Sequence, residues 1–318
     1  MTPDICIYHG NCADGFTAAW AVWKRFGDAV QYVPGVYGAP PPDVTGKNVV
    51  IVDFSYKRPV LLEMSKQAAS ILVLDHHKTA QAELENGGKF IQLTSHMTWE
   101  RHLNNLAQDD MENANIDGAT IYSVFDMDRS GAGIAWDVLH PGAARPQLIA
   151  YVQDRDLWKF ELPNSRAVNA FVFAHEYTFE NWERLYQTPF RDIVTAGEAI
   201  EKKHHKDIAE LVTALKRDMV IGGYRVPVAN LPYTLTSDAA HLMCNQWNAD
   251  FFEDGITARF PPFAACYWET PSGRVFSLRS DDKVLGSVDV SQIAKAYGGG
   301  GHKNAAGFTM PHGWEGEQ

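Results

Sequence analysis

Ile71-Leu72-Val73-Leu74-Asp75-His76-His77 decides the fold: four apolar residues run without a break into a carboxylate and two imidazoles. Val49-Val50-Ile51-Val52 runs into Asp53 in the same way, and Ile5-Cys6-Ile7-Tyr8 opens onto His9-Gly10-Asn11-Cys12-Ala13-Asp14-Gly15. Short continuous apolar runs are the text of strands covered on both faces, as in a parallel sheet. Three such strands deliver carboxylates and imidazoles to their carboxyl ends, where ligands bind in open α/β sheets. Clustered Asp and His at that place predict a metal site suited to Mn2+, Zn2+ or Fe rather than Ca2+.

Working outward, strands are predicted near 4–9, 49–53, 71–75 and 119–125. The alanine-rich stretch Ala18 to Trp23 and the run starting at Pro59 read as crossover helices. Residues 95–117 turn polar and break the rhythm, which predicts a surface excursion, with a short helix or a lid as the alternatives. After Ser130-Gly131-Ala132-Gly133 the apolar spacing resumes, and a helix from Pro146 leads to Val152-Gln153-Asp154-Arg155-Asp156. Helical text continues over roughly 180–218, where charged residues surround Ile200, Ile208, Leu211, Val212 and Leu215 at helical spacing. Beyond Gly222-Gly223 come short strands, near 226–230, 263–267 and 275–278, and a helix near 291–297. The expected fold class is α/β: a mainly parallel sheet flanked by helices over 1–179, a helical connector over 180–221, and a smaller α/β domain over 222–318.

At 318 residues the chain exceeds the usual size of one compact core, so two domains are expected. With 45% hydrophobic and 21% charged residues the composition is that of a globular protein. A net charge of -11 argues against a broad basic surface for long nucleic acid, whereas bound divalent cations would still admit a small anionic ligand. Cys6, Cys12, Cys244 and Cys266 form no C-x-x-C pair, so neither a zinc knuckle nor a redox motif is read. No signal peptide and no apolar run long enough for a membrane span is found, and a cytoplasmic location is expected.

Asp53 at a strand end either caps the next element or binds a ligand. If Asp14, Asp53 and His76 converge, they could hold two divalent ions about 3.5 to 4 Å apart, with Asp53 bridging. Asp75 reads as a partner that orients the adjacent chain or a histidine. Four glycines, Gly298 to Gly301, remove side chains from a turn beside His302 and Lys303, so that backbone N–H groups could approach an anion. Arg279 and Ser280, after a strand-like run, could hold a second phosphate or a sugar. His204-His205 lies on the charged connector and reads as a solvated face.

These motifs, taken in order, resemble the DHH-family phosphoesterases that carry a DHH-associated C-terminal domain, of the RecJ-like and oligoribonuclease type. The resemblance is carried by His9 to Gly15, Asp53, Asp75-His76-His77, Asp154 or Asp156, and Gly298-Gly299-Gly300-Gly301-His302-Lys303-Asn304-Ala305-Ala306-Gly307, which together span nearly the whole chain. It implies a two-ion centre, with Mn2+ first and Mg2+ or Co2+ as alternatives. His9 and Asp53 would serve one ion, and Asp14, Asp53, His76 and Asp154 the other, with Asp156 as the alternative to Asp154. The family's first motif, His-x-x-x-Asp-x-Asp, has lost one Asp here: Asp14 matches the second carboxylate, and the first falls at Cys12 or Asn11. A Cys12 thiolate would suit a softer ion, whereas Asn11 could offer only a neutral carbonyl.

By the same resemblance His77 lies in the active site, where it contacts the scissile phosphate or assists proton transfer, and Gly299, Gly300, Gly301, His302 and Lys303 bind substrate. The implied reaction is metal-dependent phosphodiester hydrolysis by in-line attack of an activated water. Short single-stranded oligonucleotides, cleaved as by a 3'-5' exonuclease, or small nucleotide diesters are the expected substrates, bound in a cleft between domains. A cyclic dinucleotide and inorganic pyrophosphate are the alternative substrates, and a catalytically degenerate binding protein is the rival reading. No membrane partner is expected, and a homodimer stays open.

Overall fold

The computed structural model describes residues 1–10, 12–85, 87–112, 118–245 and 260–317. It divides into two compact units, Met1–Glu201 and Lys202–Gln318.

In the first unit the strands β1 (Ile5–His9), β2 (Gln31–Gly35), β3 (Asn48–Val52), β4 (Ser70–Asp75), β5 (Phe90–Leu93) and β6 (Ile121–Phe125) form one sheet in the order β2-β1-β3-β4-β6-β5. Every pairing in it is parallel. Alternate residues of the apolar runs go to opposite faces, as the pleat requires. Val50, Val52, Leu72 and Leu74 enter one core with Trp20, Trp136 and Trp182. Ile5, Ile7, Ile51, Ile71 and Val73 enter the other with Leu61 and Met64. Burying both faces explains why these strands read as unbroken apolar text.

The helices of this unit are α1 (Ala13–Phe26), α2 (Arg58–Ser65), α3 (Lys78–Glu83), α4 (Trp99–Glu112), α5 (Gly131–Leu139), α6 (Gln147–Asp156), α7 (Ser165–Phe173), α8 (Phe179–Gln187) and the start of α9 (Phe190–Leu215). The chain leaves β1 toward β2 at one edge, then recrosses to β3 on the other side of β1. The switch point of the sheet therefore lies between β1 and β3, at the carboxyl ends that carry His9 and Asp53.

Several expectations need correction. The polar excursion over 95–117 contains α4, whose Trp99 and His102 are buried; residues 113–117 lie outside the described residues. The connector over 180–221 is not one element. Pro189 separates α8 from α9; Trp182 of α8 is buried in the first unit, where its Nε1 donates to Thr17 Oγ1 at 2.9 Å. Residues Arg217–Ile221 form a strand. Two short strands, β2 and β5, carry too little apolar text to be read.

The second unit is a mixed sheet of β7 (Arg217–Ile221), β8 (Tyr224–Asn230), β9 (Ala264–Thr270), β10 (Gly273–Arg279), β11 (Gly300–His302) and β12 (Ala305–Met310), ordered β11-β12-β10-β9-β8-β7. Only β8 and β9 pair in parallel. Helix α10 (Thr236–Asn245) packs with Ile208 and Val212 of α9 on one face, and α11 (Val290–Ala296) covers the other. Among the described residues no helix is long and apolar enough to cross a membrane.

Candidate metal centre

Four backbone devices bring the polar residues together at the switch point. His9 ends β1, and Cys12 is the N-cap of α1, with Asp14 in the first turn. A Cβ on Gly15 would lie 2.3 Å from the His9 carbonyl oxygen, so glycine is what lets α1 start this close to its strand. Asp53, one residue beyond β3, adopts a left-handed φ of 54°, and its amide donates to the Leu74 carbonyl at 2.8 Å. Strain of this kind in a non-glycine residue costs about 1–3 kcal/mol and concentrates at functional sites. Gly131, heading α5, closes over Asp53: a Cβ there would fall 2.3 Å from Asp53 Cβ.

Asp53 is the hub. Its Oδ2 lies 3.4 Å from His9 Nδ1 and its Oδ1 lies 3.0 Å from His76 Nε2. The same His76 nitrogen is 3.9 Å from Asp14 Oδ2 and 3.5 Å from Asp156 Oδ2. Two donor groups thus share Asp53: Asp14, Asp53 and His76, and separately His9, Asp53 and His77, each with its donor atoms within 4.8 Å of one another. Both Asp53 oxygens and His9 Nδ1 are buried, yet none meets the geometry of a hydrogen bond. Buried polar atoms are rarely left this way, since each costs about 1–3 kcal/mol when unsatisfied.

The charges match. Burial raises the Asp14 pKa, and the carboxylates of Asp53 and Asp156 raise it further, well above the usual range. Burial likewise raises Asp156, against the opposing pull of His76. For His76 burial acts downward, but Asp156 and Asp53 overcome it and lift the imidazole well above its ordinary value. His9 is raised in the same way by Asp53. Asp53 goes in the other direction: burial would raise it, and the neighbouring imidazoles of His76 and His9 hold it well below the carboxylate range. Protons therefore neutralise a pocket that divalent cations would neutralise better.

Asp75 lies fully buried behind this cluster. Its Oδ1 accepts from the backbone amide of His76 at 2.8 Å and stands 2.7 Å from His77 Nδ1. Burial would raise Asp75, but the His77 imidazole keeps it below the usual range, so it is a carboxylate that can only accept. That places the His77 proton on Nδ1 and makes Nε2 the acceptor nitrogen of the neutral ring.

Of the two downstream carboxylates, the structure brings Asp156 to His76, at 3.5 Å, and not Asp154. Asp154 spends its oxygens on the amides of Glu161, at 3.0 Å, and Leu162, at 3.2 Å. Both residues belong to α6, and two residues of helix turn through about 200°, so the two side chains leave opposite sides of it. Cys12 belongs to neither donor group; burial, then Asp53 and Asp156, push its thiol well above its ordinary pKa. Asn11 lies outside the described residues.

Sequence reasoning missed the N-terminus of α5. The Ala132 amide donates to Asp14 Oδ1 at 3.2 Å, and the Ser130 hydroxyl caps the helix by accepting from the Gly133 amide. Helix N-termini favour anions, so α5 holds Asp14 in place. The signal was in the text, as a serine cap followed by glycines after an apolar strand.

In the second unit Arg279 donates to Ser237 Oγ at 2.7 Å, Ser280 Oγ lies 3.2 Å from Asn304 Oδ1, and Lys303 pairs with Asp282 at 3.0 Å. The glycines have a packing reason of their own. A Cβ on Gly299 would sit 2.0 Å from the Gly307 carbonyl, and Gly301 has a φ of 141°. They let β11 lie tight on β12, where the sequence predicted a turn.

No family model matches the chain. An uncharacterised protein of Acanthamoeba polyphaga mimivirus is 27% identical over 331 residues, covering 96% of this chain and 67% of that protein. Among solved structures, the DHH domain of a protein described as belonging to a family of ribosomal proteins superposes with a TM-score of 0.51 at 13% identity, over 97% of this chain and 83% of that one. RecJ of Thermus thermophilus, in complex with Mn2+, superposes with a TM-score of 0.41 at 13% identity, over 97% of this chain and 50% of that chain. The chain has the fold of DHH-domain proteins.

Proposed function

We propose that this protein is a metal-dependent phosphodiesterase whose substrates are short oligonucleotides or small nucleotide diesters. The observation that carries the reading is Asp53: two buried carboxylate oxygens, one 3.0 Å from His76 Nε2 and the other 3.4 Å from His9 Nδ1, so that the residue is shared by two groups of donors. Asp14, Asp53, His76 and Asp156 would hold one divalent ion, and His9 and Asp53 the other, with Mn2+ the preferred metal and Mg2+ or Co2+ as substitutes. Such ions supply Lewis-acid stabilisation of phosphoryl charge and lower the pKa of water. The protein's own residues do the rest. Asp75 orients His77 with its proton on Nδ1, so that Nε2 can accept a proton or, once charged, donate to a phosphate oxygen. Asp14 is held by α5, and Asp53 by the left-handed turn beneath Gly131.

In the second unit, Gly299, Gly300, Gly301, His302, Lys303, Arg279 and Ser280 would bind substrate phosphate or sugar. The acidic surface favours a small substrate, because a long duplex would be repelled away from the centre. One observation favours a rival: with Cys12 in place of a carboxylate, the site could bind a ligand without turning it over.

The test is Mn2+-dependent cleavage of short RNA and DNA oligomers, linear and cyclic dinucleotides, and pyrophosphate, comparing wild type with Asp53→Asn. Asparagine tolerates the left-handed backbone that alanine would strain. Cleavage of a nucleotide diester that is lost in the variant supports the proposal. Cleavage of pyrophosphate alone would replace it with a pyrophosphatase, and no cleavage of any substrate with Mn2+ would leave the binding-only rival.

A further inference from the structure

We infer that Tyr37 is the base-recognition wall of the centre: its ring takes the planar base of the nucleotide whose phosphate sits at the centre, beside His9 and His77. The inference deepens the phosphodiesterase reading and rests on it. Asp14, Asp53, His76 and Asp75 are sealed from solvent, whereas His9 is 24%, His77 14% and Asp156 25% exposed at the side chain. A substrate must therefore approach over His9, His77 and Asp156. Tyr37 stands at that mouth. It follows β2, the neighbour of β1 in the sheet, so it leaves the same carboxyl edge.

Its ring centroid is 5.4 Å from His9, 6.5 Å from His77 and 4.8 Å from Phe54. Phe54 is completely buried and follows Asp53 just beyond β3, so the ring rests on a floor made by the segment that carries the site. The three interplanar angles are 69°, 79° and 40°, so none of these rings stacks on it. The residue is 56% exposed, although burying such a ring is favourable. A ring anchored on Phe54, more than half exposed and 5.4 and 6.5 Å from the imidazoles at the mouth of the centre suits a base, since every base offers a π-face. Pyrophosphate has nothing to place against it.

The test uses the full chain with Mn2+ and two esters with one leaving group, thymidine 5'-(p-nitrophenyl phosphate) and methyl p-nitrophenyl phosphate. Stacking on one aromatic ring predicts that Tyr37→Ala lowers the preference for the thymidine ester about tenfold to a hundredfold in kcat/KM, through KM. Tyr37→Phe and Tyr37→Trp keep the preference, because the ring is what acts. A preference unchanged in Tyr37→Ala overturns the wall while leaving the phosphodiesterase reading standing. A preference lost equally in Tyr37→Phe overturns it in favour of the hydroxyl. Absence of Mn2+-dependent release from either ester in wild type sinks both.

Discussion

Replacing Gly131 by alanine would place one methyl group where Asp53 already is. The added Cβ would lie 2.3 Å from Asp53 Cβ and 2.7 Å from its Cα. Carbon atoms in contact keep about 3.5–4.0 Å, so the two elements must part by roughly 1 Å or more. Neither side gives way easily. Asp53 is tied to Leu74 by its amide, and Gly131 heads a helix whose Ile134, Ala135, Val138 and Leu139 are fully buried. Overpacking of this kind costs about 1–3 kcal/mol, and contact with backbone rather than a side-chain tip puts it at the upper end. The gain in helix propensity from Gly to Ala returns at most about 1 kcal/mol. A net loss of about 2 kcal/mol lowers Tm by about 4–8 °C in a unit of this size. Because a metal tolerates ligand displacements of only about 0.2 Å, Mn2+ affinity should also fall, by about tenfold or more. Thermal melts in EDTA and calorimetric Mn2+ titrations measure the two effects. Gly133→Ala is the control: its Cβ would meet Gln153 Oε1 at 2.2 Å, the end of a side chain that can rotate away at the loss of two long hydrogen bonds, from the Ser130 amide and Arg145, so its cost should be smaller and Asp53 stays in place. A Gly131→Ala protein that melts within about 1 °C of wild type and binds Mn2+ equally well would refute the reasoning.

Asp156→Asn should weaken Mn2+ binding at least about tenfold, whereas Asp154→Asn should leave it within a few-fold and instead cost about 1–3 kcal/mol of stability through the amides of Glu161 and Leu162. The reverse pattern in calorimetry and urea melts would return Asp154 to the centre. Cys12→Asp should raise Mn2+ affinity if Cys12 stands in the place of the missing carboxylate, and an unchanged affinity would count against that alignment. Burial would raise the pKa of Asp137, but the guanidinium groups of Arg145 and Arg129 hold it below the carboxylate range. Its contribution is therefore fully present above the unfolded value of about 3.9 and is lost as pH falls through the lower folded one. The stability gap between wild type and Asp137→Asn in urea melts should close over that window, and a constant gap would refute the assignment.

The parts of the fold that were legible are those where one physical demand dominates the text. The runs ending at His9, Asp53 and Asp75 are covered on both faces, so every residue must be apolar and the strand can be read directly. Edge strands escape that demand: β2 is mostly half-exposed, and β5 buries only Phe90. The hairpin of β11 and β12 was hidden for another reason. Its glycines permit a close approach of two strands, and glycine text reads the same in a turn as in such a contact.

Within the site, the sequence could show which residues are acidic but not what each oxygen faces. Asp75, Asp154, Asp53 and Asp156 all follow or end apolar elements, and all four could pass as ligands in the text. The structure separates them by their hydrogen bonds. Asp154 commits both oxygens to backbone amides, and Asp75 commits Oδ1 to two amides and an imidazole while its Oδ2 is buried without a hydrogen bond behind the cluster. Asp53 has spent none on backbone, its two oxygens facing the imidazoles of His76 and His9, and Asp156 faces His76 with a quarter of its side chain open. An oxygen already committed to backbone gains little from a cation, whereas a buried and uncommitted one is relieved of its desolvation cost by it. Of these four, Asp53 and Asp156 are therefore the expected metal ligands, and Asp154 and the Oδ1 of Asp75 hold the backbone around them.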